Sequence, residues 1–400
     1  MNTDLNKLYD ISKKPIRNII GLMSGTSLDG LDVALCSFSG SGLQTKIKLL
    51  EFETVSFNED FKNEIKSVFS KKNIDLEKLC LLNPWVALQH AAIINQCLQK
   101  WGIKNAEVDL IASHGQTIYH APASLHQQKK FGNATLQIGD GDHLAVATGI
   151  ITLSDFRQKN IAAGGEGAPL AVYGDYLIFG KLDENRILLN IGGIANFTYL
   201  PGNMNITEIL CTDTGPGNTM MDAFTQQHFT GKHFDEDSAI ALKGNINNEL
   251  LSALKDNAFF KQALPKTTGP ELFNLTYLQD AKEKSLTTIL SVEDTMATLN
   301  KFSADTIIDA LLKTISKEDS IKIYASGGGM HNPLLMQHIK AALPNCDFLT
   351  TADLDIEPDA KEAVLFAVLA NECICGDGSY LQKGNLSIPA ISMGKISFPS

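Results

Sequence analysis

The chain has 400 residues, 44% of them hydrophobic and 20% charged, which is ordinary globular usage with material for two or three domain cores. A net charge of -11, with no basic run longer than the pairs Lys71-Lys72 and Lys129-Lys130, argues against nucleic acid and anionic membrane as partners. Seven cysteines, scattered apart from Cys373-Ile-Cys375, argue against a disulfide framework and a structural zinc site, and fit reduced thiols in a cytoplasm.

Residues 1–17 carry Asp4, Lys7, Asp10, Lys13 and Lys14 with no apolar stretch behind them, so they read as a frayed polar arm rather than a signal peptide. Two windows without acidic or basic side chains, 79–99 and 187–207, are too polar or too broken by glycine and proline to span a bilayer. Residues 18–38 read as a β-hairpin. Its bend offers backbone N–H groups, the hydroxyls of Ser24, Thr26 and Ser27, and the carboxylates of Asp29 and Asp32. A phosphate chain needs such donors and its metal ion such carboxylates, so this is a candidate nucleotide-phosphate site.

A further strand is expected over 45–57 and a helix over 59–71. Asn83-Pro84 reads as a helix start, with Asn capping and Pro in the first position, and the helix runs to about Trp101 burying Leu88, Ala91, Ala92, Asn95 and Leu98. Residues 108–112 form a short buried strand ending at Ser113-His114-Gly115. Two strands, 135–138 and 150–154, flank a short helix at 142–148. Asp155 and Arg157, two apart, share a face if Ser154-Asp-Phe-Arg157 is extended. The segment 163–170, with three glycines and Glu166, is a mobile entry loop or a hinge.

The opening device then repeats. Residues 186–191 are a buried strand, Gly192-Gly193 a tight turn, and 194–200 the returning strand, with Asn196 as an added donor. A strand end delivers Asp213 to the turn of Thr214-Gly-Pro-Gly217, and a helix begins near Asn218. A carboxylate so held suits a general base, although helix capping is the commoner use of such a residue. Asp222, inside that helix, reads as solvated or capping. Further helices are expected at 236–242, 246–255 and 293–316. The strand 322–325 ends in Ser326-Gly-Gly-Gly329, three glycines that let backbone approach a flat ligand, and a helix starts near Pro333. A last helix at 359–373 carries Glu362. The pattern is neither GxGxxG nor a Walker P-loop. The chain divides into an arm at 1–17, a first lobe at 18–165 and a second at 166–400, with the last helix packing back on the first lobe.

Taken in order, Gly21-Leu-Met-Ser-Gly-Thr-Ser-Leu-Asp-Gly-Leu-Asp32, Ser113-His-Gly-Gln-Thr-Ile118, Asp155-Phe-Arg157, Gly164-Gly-Glu-Gly-Ala-Pro-Leu170, Leu189-Asn-Ile-Gly-Gly-Ile-Ala-Asn196, Asp213-Thr-Gly-Pro-Gly-Asn218 and Ser326-Gly-Gly-Gly-Met-His-Asn332 closely resemble the anhydro-N-acetylmuramic acid kinases, from Asn18 to about Ala370. The resemblance implies an α/β fold of the two-lobed actin-like (ribonuclease H-like) class with ATP in a central cleft. It implies nucleotide contacts from Gly25, Thr26, Ser27, Leu28, Asp29, Gly30, Leu31 and Asp32, from Gly192, Gly193 and Asn196, and from Gly327, Gly328 and Gly329. Asp213 and Glu362 would be catalytic. Ser27, His114, Gly115, Asp155, Arg157, Glu166 and Gly167 would bind the sugar, and Asp29 or Asp32 would hold Mg²⁺ through water.

The reaction implied is hydrolytic opening of the 1,6-anhydro bridge with phosphorylation of the freed 6-oxygen, giving N-acetylmuramic acid 6-phosphate and ADP in cell-wall sugar recycling. A homodimer is compatible with this reading. The chain departs from the family pattern at Glu166, where Gln is usual, at Ala171-Val-Tyr-Gly-Asp175, where Val-Pro-Ala-Phe-His is usual, and at Gly217, where Ala is frequent. The alternatives are an actin-like kinase of another sugar and an actin-like filament or chaperone-type ATPase. The second lacks support in a chain with only about 30 residues after the last helix and no peptide-binding β-domain.

Overall fold

The computed structural model describes residues 2–168, 170–269, 271–315, 320–354, 356–376, 389 and 391–400. In chain order the elements are α1 (Thr3–Lys13), β1 (Arg17–Ser24), β2 (Gly30–Ser39), β3 (Lys46–Ser56), α2 (Glu59–Val68), α3 (Leu76–Trp101), β4 (Leu110–Ala121), α4 (Ala123–His126), β5 (Ala134–Ile138), α5 (Gly141–Thr148), β6 (Thr152–Ser154), α6 (Phe156–Ala162) and α7 (Ala171–Phe179). There follow β7 (Arg186–Ile191), β8 (Ile194–Leu200), β9 (Leu210–Pro216), α8 (Thr219–His228), α9 (Asn248–Lys255), α10 (Ala258–Lys261), α11 (Leu275–Lys284), α12 (Val292–Leu312), β10 (Ile321–Ser326), α13 (Pro333–Ala342), β11 (Cys346–Thr350), α14 (Lys361–Cys375) and β12 (Lys395–Ser397). The chain is α/β and forms two compact units, residues 1–179 with 355–400 and residues 180–354. This division differs from the expected one. It falls after α7 rather than at 165, and the whole segment from 355 onward joins the first unit.

The first unit has a seven-stranded sheet ordered β12-β6-β4-β1-β2-β3, with β5 paired to β4. β1, β2 and β3 form an antiparallel meander, while β4 lies parallel to β1 and β6 parallel to β4. The second unit has a five-stranded sheet ordered β11-β10-β7-β8-β9. Here β7, β8 and β9 are the antiparallel meander, and β10 and β11 add in parallel. The arrangement β3-β2-β1-β4-β6 in one unit thus recurs as β9-β8-β7-β10-β11 in the other. The repeated strand–bend–strand pattern in the sequence is the trace of this shared plan. Parallel neighbours need a crossover, supplied by the long helices α3 and α12.

Four local expectations are corrected. Residues 3–13 are helical rather than frayed: Asn2 Oδ1 accepts the Asp4 N–H at 2.7 Å, and Ile11 is buried. The long helix α3 starts at Leu76, capped by Asp75 through the N–H groups of Glu77 and Lys78, so Pro84 lies inside it. Asn83, the expected cap, instead accepts the Gly139 N–H at 2.9 Å. The buried face of α3 carries Val86, Ala87, His90, Ala91, Ile94, Cys97 and Leu98, leaving Leu88 and Ala92 exposed. Finally, β4 continues through Ser113-His114-Gly115 to Ala121, because β1 pairs its backbone as far as Gln116 and β5 pairs it from Gln116 to Ala121.

Within the first unit, α14 packs on β1, and its residues from Ala363 to Glu372 are buried. The approach is close at Gly21, where an added Cβ would lie 1.9 Å from the Ala363 carbonyl oxygen. Glycine is the residue that lets a helix backbone rest directly on this strand.

Candidate functional site

In the first unit the β1–β2 bend is braced from beneath. Ser24 Oγ donates to Gln116 Oε1 at 2.5 Å, Gln116 Nε2 donates to the Gly25 carbonyl, and the Phe57 N–H donates to the Asp29 carbonyl. Leu28 adopts φ 60° and buries its side chain, and Gly30 and Leu31 beyond it are also buried. Thr26, Ser27 and Asp29 are left exposed at the tip. Asp32 is half-buried and accepts from Thr54 Oγ1 at 2.6 Å. Burial raises its pKa against that hydrogen bond, and Asp359 and Asp29 raise it further.

The expected sugar residues of this unit lie on β4, α6, the loop after α6 and α14. Asp155 does not share an extended face with Arg157. It takes φ 58° and ends β6, its carboxylate pairs with Lys395 of β12, and Arg157 lies in the first turn of α6. His114 is only 4% exposed, and its ring packs against Phe366 of α14. His114 Nε2 accepts from Arg157 Nε at 3.0 Å, and Arg157 Nη1 donates to the Gly167 carbonyl at 2.7 Å. Burial, with Arg157 beside it, pushes the His114 pKa down to about 3, so the ring is neutral. His114 Nε2 is therefore occupied as an acceptor for Arg157 rather than free to donate to a ligand, as expected of it. Gly115 is a buried strand residue whose N–H goes to Ser113 Oγ.

The loop after α6 is pinned rather than slack. Asn160 Oδ1 accepts the Gly167 N–H at 2.9 Å, and Asn133 Nδ2 donates to the Gly165 carbonyl at 3.0 Å. Glu166 points outward and is exposed; Pro169 lies outside the described residues. Glu362, in the first turn of α14, keeps access to solvent, yet crowding by the protein raises its pKa. Lys361 and Arg157 oppose that shift, while Asp32 and Asp175 add to it.

In the second unit three glycine segments meet at the carboxyl ends of the parallel strands β7 and β10, where open α/β sheets place their ligands. The Gly192 carbonyl accepts the Asn218 N–H at 2.8 Å, and the Gly193 carbonyl accepts those of Gly217 and Thr219. The bend is thereby locked to the start of α8. The fit is tight: a Cβ at Gly217 would lie 2.2 Å from the Gly192 carbonyl oxygen. Ser303 Oγ braces the same segment through the Gly217 carbonyl. The third segment joins through Ser326 Oγ, which donates to Asn190 Oδ1, one residue before the end of β7. Gly327 follows with φ 81°, and Gly328 and Gly329 begin a single 3₁₀ turn.

Beside this turn lies a cavity of about 710 Å³ between α13 and β11, walled by Met330, Met336, Phe348, Gln337 and Lys340. Its flat apolar walls with a few polar edges suit a planar heterocycle. Sequence reasoning missed these residues. Their only local signal is the spacing of Met336 and Lys340 on one face of α13, which reads equally well as ordinary core.

Asp213 is the fourth residue of β9 rather than a strand-end residue. It stands opposite Asn196 at a bulge, and Asn196 stands opposite Asn190, so the three side chains share one face of the sheet. Asp213 Oδ2 accepts the Thr268 N–H at 2.8 Å, and its own N–H goes to the Lys266 carbonyl. Among the described residues Oδ1 has no hydrogen-bond partner. Burial raises the Asp213 pKa against the Thr268 bond, and Glu271 raises it further. This is a carboxylate aimed by backbone and poised to take a proton. The segment that aims it is anchored by Lys266, another residue without a sequence signal. Its ammonium donates to the Phe259 carbonyl and lies 4.0 Å from the Phe259 ring centroid, and burial lowers its pKa to about 8. Asp222 is not solvated as expected: it is half-buried on α8, and burial pushes its pKa up to about 6.

The family described as anhydro-N-acetylmuramic acid kinase matches residues 17–398. The anhydro-N-acetylmuramic acid kinase of Pseudoalteromonas atlantica is 56% identical over 400 residues, covering 100% of each chain. The enzyme of that name from Caldanaerobacter subterraneus subsp. tengcongensis is 38% identical over 98% of this chain and 100% of its own. Among solved structures, the activator of the 2-hydroxyisocaproyl-CoA dehydratase from Clostridium difficile, with bound ADPNP, aligns over 92% of this chain and 99% of its own at 12% identity and a TM-score of 0.38.

Proposed function

Because this chain belongs to the anhydro-N-acetylmuramic acid kinase family, we propose that it uses ATP and water to convert 1,6-anhydro-N-acetylmuramic acid into N-acetylmuramic acid 6-phosphate and ADP. The observation that carries the residue assignment is Asp213, a desolvated carboxylate held at one oxygen by the Thr268 N–H and set on the same sheet as the glycine segments.

Asp213 takes a proton from water as its oxygen bonds to the anomeric carbon. The bridging C1–O6 bond breaks, and O6 leaves with the electron pair. O6 then attacks the γ-phosphorus in line, and ADP departs. Phosphoryl transfer of this kind needs positioning and charge stabilisation more than covalent help. In the second unit, Gly192, Gly193 and Asn196 serve the phosphates, Gly327 to Gly329 the ribose side, and the Met330–Phe348 cavity the base. In the first unit, the bend from Gly25 to Asp32, exposed at Thr26, Ser27 and Asp29, serves phosphates and metal. Arg157, Gly167 and Glu362 serve the sugar; the Arg157 guanidinium matches a lactyl carboxylate, and the Glu362 carboxylate suits a hydrogen bond from the sugar's one free ring hydroxyl or its amide N–H. Asp29 and Asp32 suit Mg²⁺, which keeps most of its water and takes few carboxylates; among the described residues no trio of acidic, His or Cys side chains forms a protein cage. Bound there, Mg²⁺ would spread the charge of the triphosphate. Seven cysteines scattered without CxxC spacing favour a reducing cytoplasm.

The test is product formation by purified protein. ADP release should require both the anhydro sugar and Mg²⁺, and the reaction run in ¹⁸O water should place label on the anomeric oxygen after correction for exchange. ATP binding without any phosphosugar would sink the proposal, and an unlabelled product would move it to an ordinary hydroxyl kinase.

A further inference from the structure

We propose that His114 is a positioning residue: a neutral acceptor that holds the Arg157 guanidinium in register for the sugar, without touching substrate itself. The inference rests on the sugar-side reading of Arg157 and deepens it.

The arrangement has three parts, all inside the first unit. His114 is fixed by its place in the middle of β4 and by packing of its ring on Phe366, with centroids 4.9 Å apart. Its Nε2 accepts from Arg157 Nε at 3.0 Å, which requires the tautomer with the proton on Nδ1. Arg157 Nη1 reaches in the other direction to the Gly167 carbonyl at 2.7 Å. Two donors of the five-donor fork are thus committed to protein at fixed points. This sets the plane of the guanidinium and leaves the Nη2 end to bind an anionic group.

The partnership is electrostatically particular. A protonated His114 would place two cations at hydrogen-bond distance and would lose the acceptor. Burial and the Arg157 charge keep the ring neutral, and His90 on α3 acts in the same direction. Nδ1 is buried with no hydrogen-bond partner, the backbone at Gly115 and Ser24 only partly offsets the burial, and the side chain that meets Nε2 is Arg157. A histidine used as a proton carrier needs a path for its proton; this one is 4% exposed, and its lone pair is occupied.

Two variants and one spectrum test this. His114→Phe keeps an aromatic ring against Phe366 but removes the acceptor; His114→Gln keeps an acceptor within reach of Arg157 Nε. We expect His114→Phe to raise the KM for the anhydro sugar about tenfold or more, with ATP affinity within about twofold of wild type. His114→Gln should recover most of that loss and keep the wild-type shape of the kcat pH profile between pH 5.5 and 8. In the wild-type protein, ¹⁵N spectra of the histidine rings should show His114 neutral, with Nε2 unprotonated, down to pH 5.

An unchanged sugar KM in His114→Phe overturns the proposal. So does a His114→Gln enzyme that loses kcat and an ionisation from its pH profile, which would make the ring a proton carrier. A ring that titrates near pH 6.5 in the ¹⁵N spectra overturns it even where a variant fails to fold. Failure of the functional reading is distinguishable, because the wild-type protein would then form no phosphosugar while the ¹⁵N result would still stand.

Discussion

In the proposed reaction Asp213 acts as the ionised carboxylate, so its raised pKa has a definite sign. Activity is full where the carboxyl is deprotonated and falls as the pH drops through a value above the usual 3.8. The acid limb of kcat should therefore lie at higher pH than an exposed aspartate would give. Asp213→Asn should fold, bind ATP as wild type does, and lose about 10²–10⁴ in turnover, the usual worth of a general base; turnover close to wild type would remove the residue from the chemistry. Phe348 makes a separate prediction. Phe348→Ala opens the wall of the cavity beside the third glycine segment and should weaken ATP binding about tenfold by calorimetry, with sugar KM unchanged. Equal loss toward both substrates would mean general unfolding of that face.

At the scale of elements, the informative unit is a glycine bend with its brace. The bend at Gly192-Gly193 is legible as a turn in the sequence, but the brace comes from residues 217–219, about 25 positions later. The bend at 24–29 depends on Gln116, 92 residues away from Ser24. Local residue chemistry explains why such bends are possible, and only long-range hydrogen bonds explain why they hold one shape. The same holds where α14 meets β1. Gly21→Ala would drive a methyl into the Ala363 carbonyl and should destabilise the protein by roughly 3 kcal/mol. That loss is readable as a fall of several degrees in Tm. A variant with wild-type Tm would mean that α14 can shift away without cost.

For the whole molecule, pH acts through buried histidines. His90 of α3 lies fully buried beside the rings of Phe57 and Phe61 with neither ring nitrogen hydrogen-bonded, and its pKa is pushed down to about 4 by burial; that of His114 is about 3. The unfolded chain binds protons at both sites below about pH 6.5 and the folded chain does not, so stability is complete above that pH and is lost as pH falls toward 4. At pH 5 the loss is on the order of 2 kcal/mol for each ring. Asp222, raised to about 6, acts in the opposite sense: its neutral form is favoured in the fold, and that contribution fades as pH rises past 6. Replacing His90 by Leu removes an unpaired buried group and should flatten the fall in Tm between pH 7 and 5 at little cost at pH 7. A Tm profile as steep as wild type would assign the acid sensitivity elsewhere.

The sequence by itself determined the α/β class, the two glycine hairpins and the strand that carries Asp213. These follow from signals within a dozen residues: apolar period, small residues at bends and a carboxylate beside them. Residues 1–17 and Asn83-Pro84 misled that kind of reading, because a cap two residues away and an apolar face already under way outweighed composition and proline. Only the tertiary structure decided that β4 runs through His114, that Asp155 pairs with Lys395 rather than Arg157, that the first unit extends through α7, and that Met330 and Phe348 face one cavity. Each of those outcomes rests on partners dozens to hundreds of residues apart. Which donor a buried acceptor meets is a property of packing, and packing leaves no local periodicity to read.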